Sequence, residues 1–356
     1  MNREELLDRI RHGDPVRGAS LVHLELTGAD LSGALFEEVR FPGVLRGARL
    51  KESVFIGCDF KGCDLTGADL HLATVMRSSL DGARLDRGKL IAASFTECAA
   101  AGVSLAGIEA PLASWVKTSL RAASFAGANL DRANFLEVDA DQASFAGANL
   151  EKATLYRADL RTADLAAANL TLTTLVEARL GPKRFAGATL FRTQLMKSDL
   201  AGASFAGVDC TQCNFMGADL REATFEGAHG PQCFFGDAKL SQARLVNGHF
   251  PQAVFERAEL AGANLSGAFL EAVYFGHALA PGALFVGAKL READFSHADV
   301  SGADFSEAGL YRTRFHLANR AGAALPRSAG WLGDDDALAR VEAWRPRHGA
   351  ARPEER

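Results

Sequence analysis

From Leu45 to Leu325, nearly every fifth residue is Leu or Phe, with no insertion or deletion between them. Two residues before each sits, with few exceptions, Ala, Ser, Cys, Thr, Val or Gly. An earlier set (Leu21, Leu26, Leu31, Phe36, Phe41) keeps the spacing one step out of register, and the slip falls at residues 42–44, around Pro42-Gly43. Five units precede the slip and 57 follow it, 62 in all. A period of five drifts around an α-helix and leaves it no apolar face; nor does it match the alternation of a long strand. It fits a short extended side followed by a corner, repeated around a tube. The central Leu or Phe (position i) and the small residue at i−2 then point inward, while i−1, i+1 and i+2 point outward. The i−2 side chain must be small because two inward groups per side share one narrow lumen at interior packing density.

The outward letters fix how many sides make a turn. Every twentieth residue from 77 reads Arg77, Glu97, Lys117, Glu137, Arg157, Glu177, Lys197. Strict alternation of sign is expected of side chains stacked on neighbouring coils about 4.8 Å apart. The aromatic residues add a period of ten. Sixteen in-register Phe fall at positions ending in 5, and only Phe60 and Phe250 at positions ending in 0. Two opposite walls therefore carry Phe and the other two mostly Leu. Sixty-two units make about 15 coils, a rod roughly 75 Å long at ~4.8 Å per coil.

The units A-D-L-x-x, A-N-L-x-x and A-S-F-x-x resemble the pentapeptide-repeat family over residues 21–325, about 85% of the chain. That resemblance implies an all-β fold, a right-handed four-sided β-helix solenoid of 20 residues per coil. Short terminal helices are expected as caps, because a solenoid's ends expose unpaired backbone and an apolar cross-section. Residues 1–15 read as an N-terminal capping helix: Asn2 is its N-cap, Leu6, Leu7 and Ile10 share one face, and Gly13 and Pro15 stop it. Residues 16–328 form the β-helix. Residues 329–345 read as a C-terminal helix, with Leu338, Val341 and Trp344 on one side, serving as a lid. DNA-mimicking members of the family use such a helix to dimerise, which keeps that role open. Residues 346–356 read as a disordered tail.

Signals for chemistry dissolve in this frame. Cys210 and Cys213 have CxxC spacing, yet Cys210 is a position i and Cys213 the next i−2. Cys58, Cys63, Cys98 and Cys233 are also i−2 residues, and no second CxxC completes a four-ligand site. Thiols in a reducing compartment are expected, with Cys213 and Cys233 a conceivable pair one coil apart. His229 stacks with His249, and His277 with His297, but neither pair shows a third and fourth ligand. Asp64, Asp69, Asn129, Asn149, Asp159, Asp164 and Asn169 recur too regularly for acid–base work and suit corners, where short polar side chains bond local amides. No catalytic, cofactor or metal residue is expected, and the chain reads as a non-enzyme. Lys183 in GPKRF occupies an inward position, so Gly181-Pro182 is expected to turn it outward. Ala100, Ala110, Gly230 and Ala280 leave coils under-filled, and Arg320 at a position i marks the end of regular winding.

Function must then lie on the outward residues. Position i+1 of one face reads Ile56, Met76, Thr96, Val116, Leu136, Tyr156, Val176, Met196, Met216, with Phe234, Val254 and Tyr274 continuing beyond it. A parallel column of Ala106, Ala126, Ala146, Ala166, Ala186 and Ala206 runs on another face. The first column is either like-with-like stacking or a docking face rimmed by the charge ladder. A net charge of −5 argues against direct nucleic-acid binding. No run of about 20 apolar residues spans a membrane, and MNREELLDRI lacks the apolar core of an export signal, so a cytoplasmic setting is expected. The family resemblance implies two functions. The first is a scaffold or adaptor for a protein partner, for instance in a bacterial type VI secretion locus, with homodimerisation through the stripe or the C-terminal helix. The second is a DNA mimic that binds gyrase and shields it from poisons. Arg121, Arg161, Arg179 and Arg221 interrupt the acidic column of Asp139, Asp159, Asp199 and Asp219, which weighs against the mimic.

Overall fold

The computed structural model describes residues 1–326 and 330–343. Trp344 and the tail 346–356 lie outside them. The chain winds as a parallel β-solenoid. Helix α1 (Arg3–His12) leads into β1 (Val16–Arg17), β2 (Leu35–Glu37), β3 (Val54–Ile56), β4 (Thr74–Met76), β5 (Ser94–Thr96), β6 (Ser114–Val116), β7 (Asn134–Leu136) and β8 (Thr154–Tyr156); α2 (Asp336–Glu342) follows the last coil. The strands form one sheet in chain order. Successive partners lie 20 residues apart, as in Phe55↔Val75, except across the slip, where Phe36 pairs with Phe55.

Regular strand is shorter than the repeat led us to expect. The strand ladder covers seven turns rather than about 15. Beyond Tyr156, and on the other three sides throughout, coils meet through single-residue bridges such as Asp59↔Ser79, Asp64↔Arg84, Asp69↔Lys89 and Val254↔Tyr274. The cause is local. In β2–β8 the i+1 residue stays extended, so three residues pair; elsewhere i+1 already enters the turn.

With few exceptions the corner residue at i+2 takes the left-handed conformation, glycine or not: Arg77 has φ 46°, Leu112 61° and Glu137 53°. A side chain there costs about 1–2 kcal/mol. A lateral bond offsets it, since the corner N–H donates to a carbonyl on the next coil, as from Arg77 to Thr96 at 2.9 Å and from Glu137 to Tyr156 at 3.0 Å.

Inside, the Phe walls are visible as stacks. Phe205 lies parallel to Phe225 with centroids 4.6 Å apart, and Phe215 to Phe235 at 4.9 Å. Across the lumen the two walls meet edge to face, as between Phe215 and Phe225 at 5.6 Å and 90°, the geometry that ring quadrupoles favour. Inward hydroxyls bond the wall: Thr193 Oγ1 donates to the Leu170 carbonyl at 2.8 Å. The under-filled coils are filled from next door. Trp115, fully buried, lies between Phe95 and Phe135 and fills space beside Ala100, leaving a cavity of about 10 Å³ lined by both. Phe250, one of the two out-of-phase aromatics, leans over Gly230, where a Cβ would come within 2.6 Å of its ring.

Lys183 does not escape outward. It stays buried, with its ammonium donating to the Ala163 carbonyl. Proline cannot enter the left-handed region, so at this corner Gly181 takes it instead, with φ 54°. The turn closes one residue early, with Lys183 N–H donating to the Gly181 carbonyl at 2.7 Å. Lys183 is thereby left facing a carbonyl inside rather than water, and burial lowers the pKa of its amine, against a smaller opposing pull from Asp164.

Both ends are covered. In α1 a reciprocal capping box joins Asn2 and Glu5, Leu6 is buried, and Leu7 and Ile10 pack on the core. At the other end Trp331 stands edge-on to Phe315 at 5.8 Å, with the Arg320 guanidinium 5.5 Å above its ring. Leu332 adds a last rung, bridging Arg314. No residue of α2 is buried, and Val341 is 71% exposed.

Two variants test this packing. Gly230→Leu should lower stability by about 1–3 kcal/mol through overpacking, and adding Phe250→Leu should recover most of it, read as non-additivity in urea unfolding. Pro182→Gly with Lys183→Ala restores a regular corner and a small inward residue, and should raise the urea midpoint by the equivalent of about 1 kcal/mol.

Candidate functional site

The side that carries the three-residue strands also carries the apolar column. Ile56↔Met76↔Thr96↔Val116↔Leu136↔Tyr156 are in-register partners of β3–β8, so their side chains stack coil on coil. Val176, Met196 and Met216 extend the column, and all nine are half-buried. Beyond Met216 the apolar side chains shift from i+1 to i−1. Gly236, Glu256 and Gly276 occupy its next slots, and the rings of Phe234 and Tyr274 fold over the two glycines from i−1: an added Cβ would meet the Phe234 ring at 2.7 Å and the Tyr274 hydroxyl at 2.1 Å. Phe234, Val254 and Tyr274 are bridge partners in turn. The alanine column, Ala106 to Ala206, lies on another side and is half-buried to exposed.

The charge ladder runs along one edge of this side. Each member donates its N–H to the carbonyl of the stripe residue on the next coil, as Lys117 does to Leu136 at 2.9 Å and Arg157 to Val176 at 3.1 Å. Ladder and stripe therefore share one backbone frame. Arg157 and Glu177 form an ion pair at 2.7 Å, and the Arg157 guanidinium lies 4.9 Å from the centre of the Tyr156 ring. Sequence inspection stopped the ladder at Lys197, although the same period reaches further. Asp237 and Arg257 pair at 2.7 Å, and His277 and His297 stack at 4.8 Å beyond the gap at Gly217.

That column ends at a polar cluster invisible in the repeat. Glu342 of α2 lies 3.1 Å from His297 Nε2 and 3.3 Å from the buried His316 Nε2. Two histidines and a glutamate this close are a metal-like set. However, His316 Nδ1 accepts the N–H of Asp335 at 3.0 Å. The ring proton is thus held on Nε2, where it donates to Glu342 and leaves no lone pair for a cation. The cluster works as a latch for α2, helped by Asp334, which accepts from Leu317 N–H at 2.8 Å and pairs with Arg320 at 3.2 Å.

The cysteines are all free and buried. Burial pushes the Cys58 and Cys63 thiols up to about 11, and raises those of Cys213 and Cys233 strongly. Such thiols are poor nucleophiles and poor ligands. The corner carboxylates bond locally: Asp59 accepts from Lys61 N–H at 3.0 Å and Asp64 from Thr66 N–H at 3.1 Å. The Thr66 hydroxyl, then Arg46, hold Asp64 down to about 2. Arg49, then Ser32, do the same for Asp30.

A parallel solenoid with a small inward residue, a large one and a corner in every five residues defines a class of repeat protein. The sequence model for pentapeptide repeats (8 copies) matches residues 44–82, 118–156, 143–181, 193–229, 235–271 and 270–307. The chain belongs to the pentapeptide-repeat family. Solved structures similar to it include HetL, a protein involved in heterocyst differentiation regulation in the cyanobacterium Nostoc, at 22% identity over 88% of this chain and 96% of that one, with a TM-score of 0.16. A pentapeptide repeat protein of the Arabidopsis thaliana thylakoid lumen shares 28% identity over 32% of this chain and 68% of its own, with a TM-score of 0.15. Full-length QnrB1, a plasmid-mediated fluoroquinolone resistance protein, shares 16% over 71% and 90%, with a TM-score of 0.17. At such identities and scores the assignment stands on the repeat model. No curated protein matches the chain. Among the described residues, no helix is long and apolar enough to cross a membrane.

Asp30 and Asp64 set an acid limit. Their folded pKa lies below the ordinary value near 4, so the folded state binds fewer protons than the unfolded chain between about pH 4 and pH 2. Their contribution is present above pH 4 and is lost as pH falls through that window. Thermal midpoints measured from pH 6 to pH 2 should drop mainly below pH 4, and Asp64→Asn should flatten part of that drop.

Proposed function

We propose that the protein is a non-enzymatic scaffold that binds a protein partner along the strand-bearing side. The observation that carries this reading is the nine-coil apolar column, in register and rimmed on one edge by alternating charge. A contiguous, half-exposed and mainly apolar band roughly 40 Å long exceeds what isolated surface residues need, and such bands mark interaction sites. Its half-buried side chains, ordered by the rungs beneath them, lose little rotamer entropy on docking. Family resemblance alone supports the finer version, an accessory protein of a bacterial secretion locus acting in the cytoplasm.

The gyrase-binding DNA mimic is less well supported by the surface. A mimic needs a continuous line of negative charge like the phosphates it replaces. Here Arg121 pairs with Asp139 at 3.3 Å and Asp141 at 2.5 Å, Arg161 and Arg179 both pair with Asp159 at 2.8 and 3.1 Å, and Arg221 pairs with Asp219 at 2.5 Å. Three of the four acids of that column, Asp139, Asp159 and Asp219, are thus paired with arginine.

Replacing Met76, Leu136, Tyr156 and Met196 together by Ser should leave the far-UV spectrum unchanged but abolish binding of an apolar fluorescent dye and co-purification of the partner. Unchanged dye binding and co-purification would reduce the column to internal stacking. In a supercoiling assay with a quinolone, micromolar protein should leave gyrase unprotected; protection would instead establish the mimic.

A further inference from the structure

The interaction side is complementary to itself, and we infer that its occupant is a second copy of this chain, packed antiparallel and face to face. The inference rests on the scaffold reading, in that it assigns a partner to the same side. It follows from the order of charges along the ladder.

Two flat sides can face each other about a two-fold axis lying in the interface and perpendicular to the rods. That rotation reverses the coil order but returns each column onto itself. Stripe then meets stripe and ladder meets ladder. Placing the axis between the coils of Trp115 and Phe135 matches Lys117 with Glu137, Glu97 with Arg157, and Arg77 with Glu177 of the second copy. Each pair occurs twice, so six contacts of opposite sign result and none of like sign. Lys197 meets Gly57, which has no side chain to oppose it. In the stripe, Val116 meets Leu136, Thr96 meets Tyr156, Met76 meets Val176 and Ile56 meets Met196.

The far edge of the side decides between possible registers. With this axis Leu72 meets Leu172, 48% and 36% exposed, and Glu52 meets Arg192. Moving the axis one coil towards the C-terminus sets Arg132 against Lys152. Moving it two coils sets Glu97 against Asp237 and Arg77 against Arg257. Moving it one coil towards the N-terminus keeps opposite charges together but aligns six coils of stripe instead of eight. Like charges directly opposed are unfavourable, so one register is preferred on both edges. Between stripe and far edge the facing i−1 residues are small and polar, Ser114 with Asn134 and Thr74 with Thr174, which lets the sides approach closely.

The size of the contact sets the expected strength. Eight coils at ~4.8 Å and a side roughly 15 Å wide bury on the order of 1,000 Å² in total, the lower limit for a specific interface. The dimer should therefore have a micromolar Kd, and the exposed charges make it weaken as salt rises.

Sedimentation velocity from about 1 to about 200 µM tests this on the whole chain. The mass should move from 37.8 kDa towards twice that value. Glu137→Lys brings ammonium groups together at two symmetry-related places and should raise Kd at least ~10-fold. Lys117→Glu should do the same with carboxylates. The chain carrying both exchanges regains opposite charges across the axis, and its Kd should return to within about threefold of the original. Both positions are exposed corners with φ 48° and 53°, so an unchanged thermal midpoint is the folding control. A monomer throughout the concentration range overturns the inference, as does a double exchange that stays as weak as either single one. If the chain is monomeric while the four-Ser variant still loses a different co-purifying protein, self-pairing falls and the scaffold reading stands. If the dye and co-purification tests also show no change, both fall.

Discussion

Nearly every corner of the solenoid donates an N–H sideways to the next coil, and the rest of the structure depends on that bond. It makes left-handed backbone acceptable at arginine, glutamate, leucine and lysine, so a corner can be any residue instead of glycine alone. Because corners are free to vary, they can carry a pattern, and the alternating ladder from Arg77 to Lys197 is written on them. The corner occupied by proline shows what the bond supplies. At Pro182 the N–H is missing and φ is confined, so the turn moves to Gly181 and an ammonium fills a place meant for alanine.

The lumen follows from the same regularity. Coils stacked with a fixed 20-residue offset place like side chains over like, so each wall becomes a column of parallel rings, and opposing walls meet edge to face. A defect in one coil can be repaired only by its neighbours. Trp115 beside Ala100, and Phe250 over Gly230, are such repairs. They explain why residues that break the alternation of Leu and Phe are tolerated.

Much of this could be read from the letters, because a period of five with a small residue at i−2 has few solutions. The inward burial of all six cysteines, the Phe walls and the stacked column from Ile56 to Met216 all follow from position within the unit. What could not be read depends on contacts between units or outside them. Lys183 was expected outside, since the position of a displaced turn is settled by which carbonyl lies nearest, here that of Ala163. The extent of regular strand depends on whether i+1 stays extended, a choice no residue type announces. The apolar lid at the C-terminal end is Trp331 rather than a helix face, and the latch brings His297 and His316 to Glu342 across an irregular segment with no period to follow. The extension of the ladder through Asp237 and Arg257 was legible and was hidden only by the gap at Gly217.

A repetitive rod faces a difficulty in recognition: identical units offer a partner many equivalent registers. An apolar column alone would let two copies slide past one another, since each shift of one coil exchanges one large side chain for another. Charge alternation on a single edge removes half the registers. The second edge, where Arg132 and Lys152 stand on neighbouring coils while Leu72 and Leu172 lie further out, removes the better-aligned of those left. Specificity on such a surface comes from where like charges would meet more than from any one strong contact. The non-repeating residues at the margins of the strand-bearing side thus carry positional information that the repeat itself cannot.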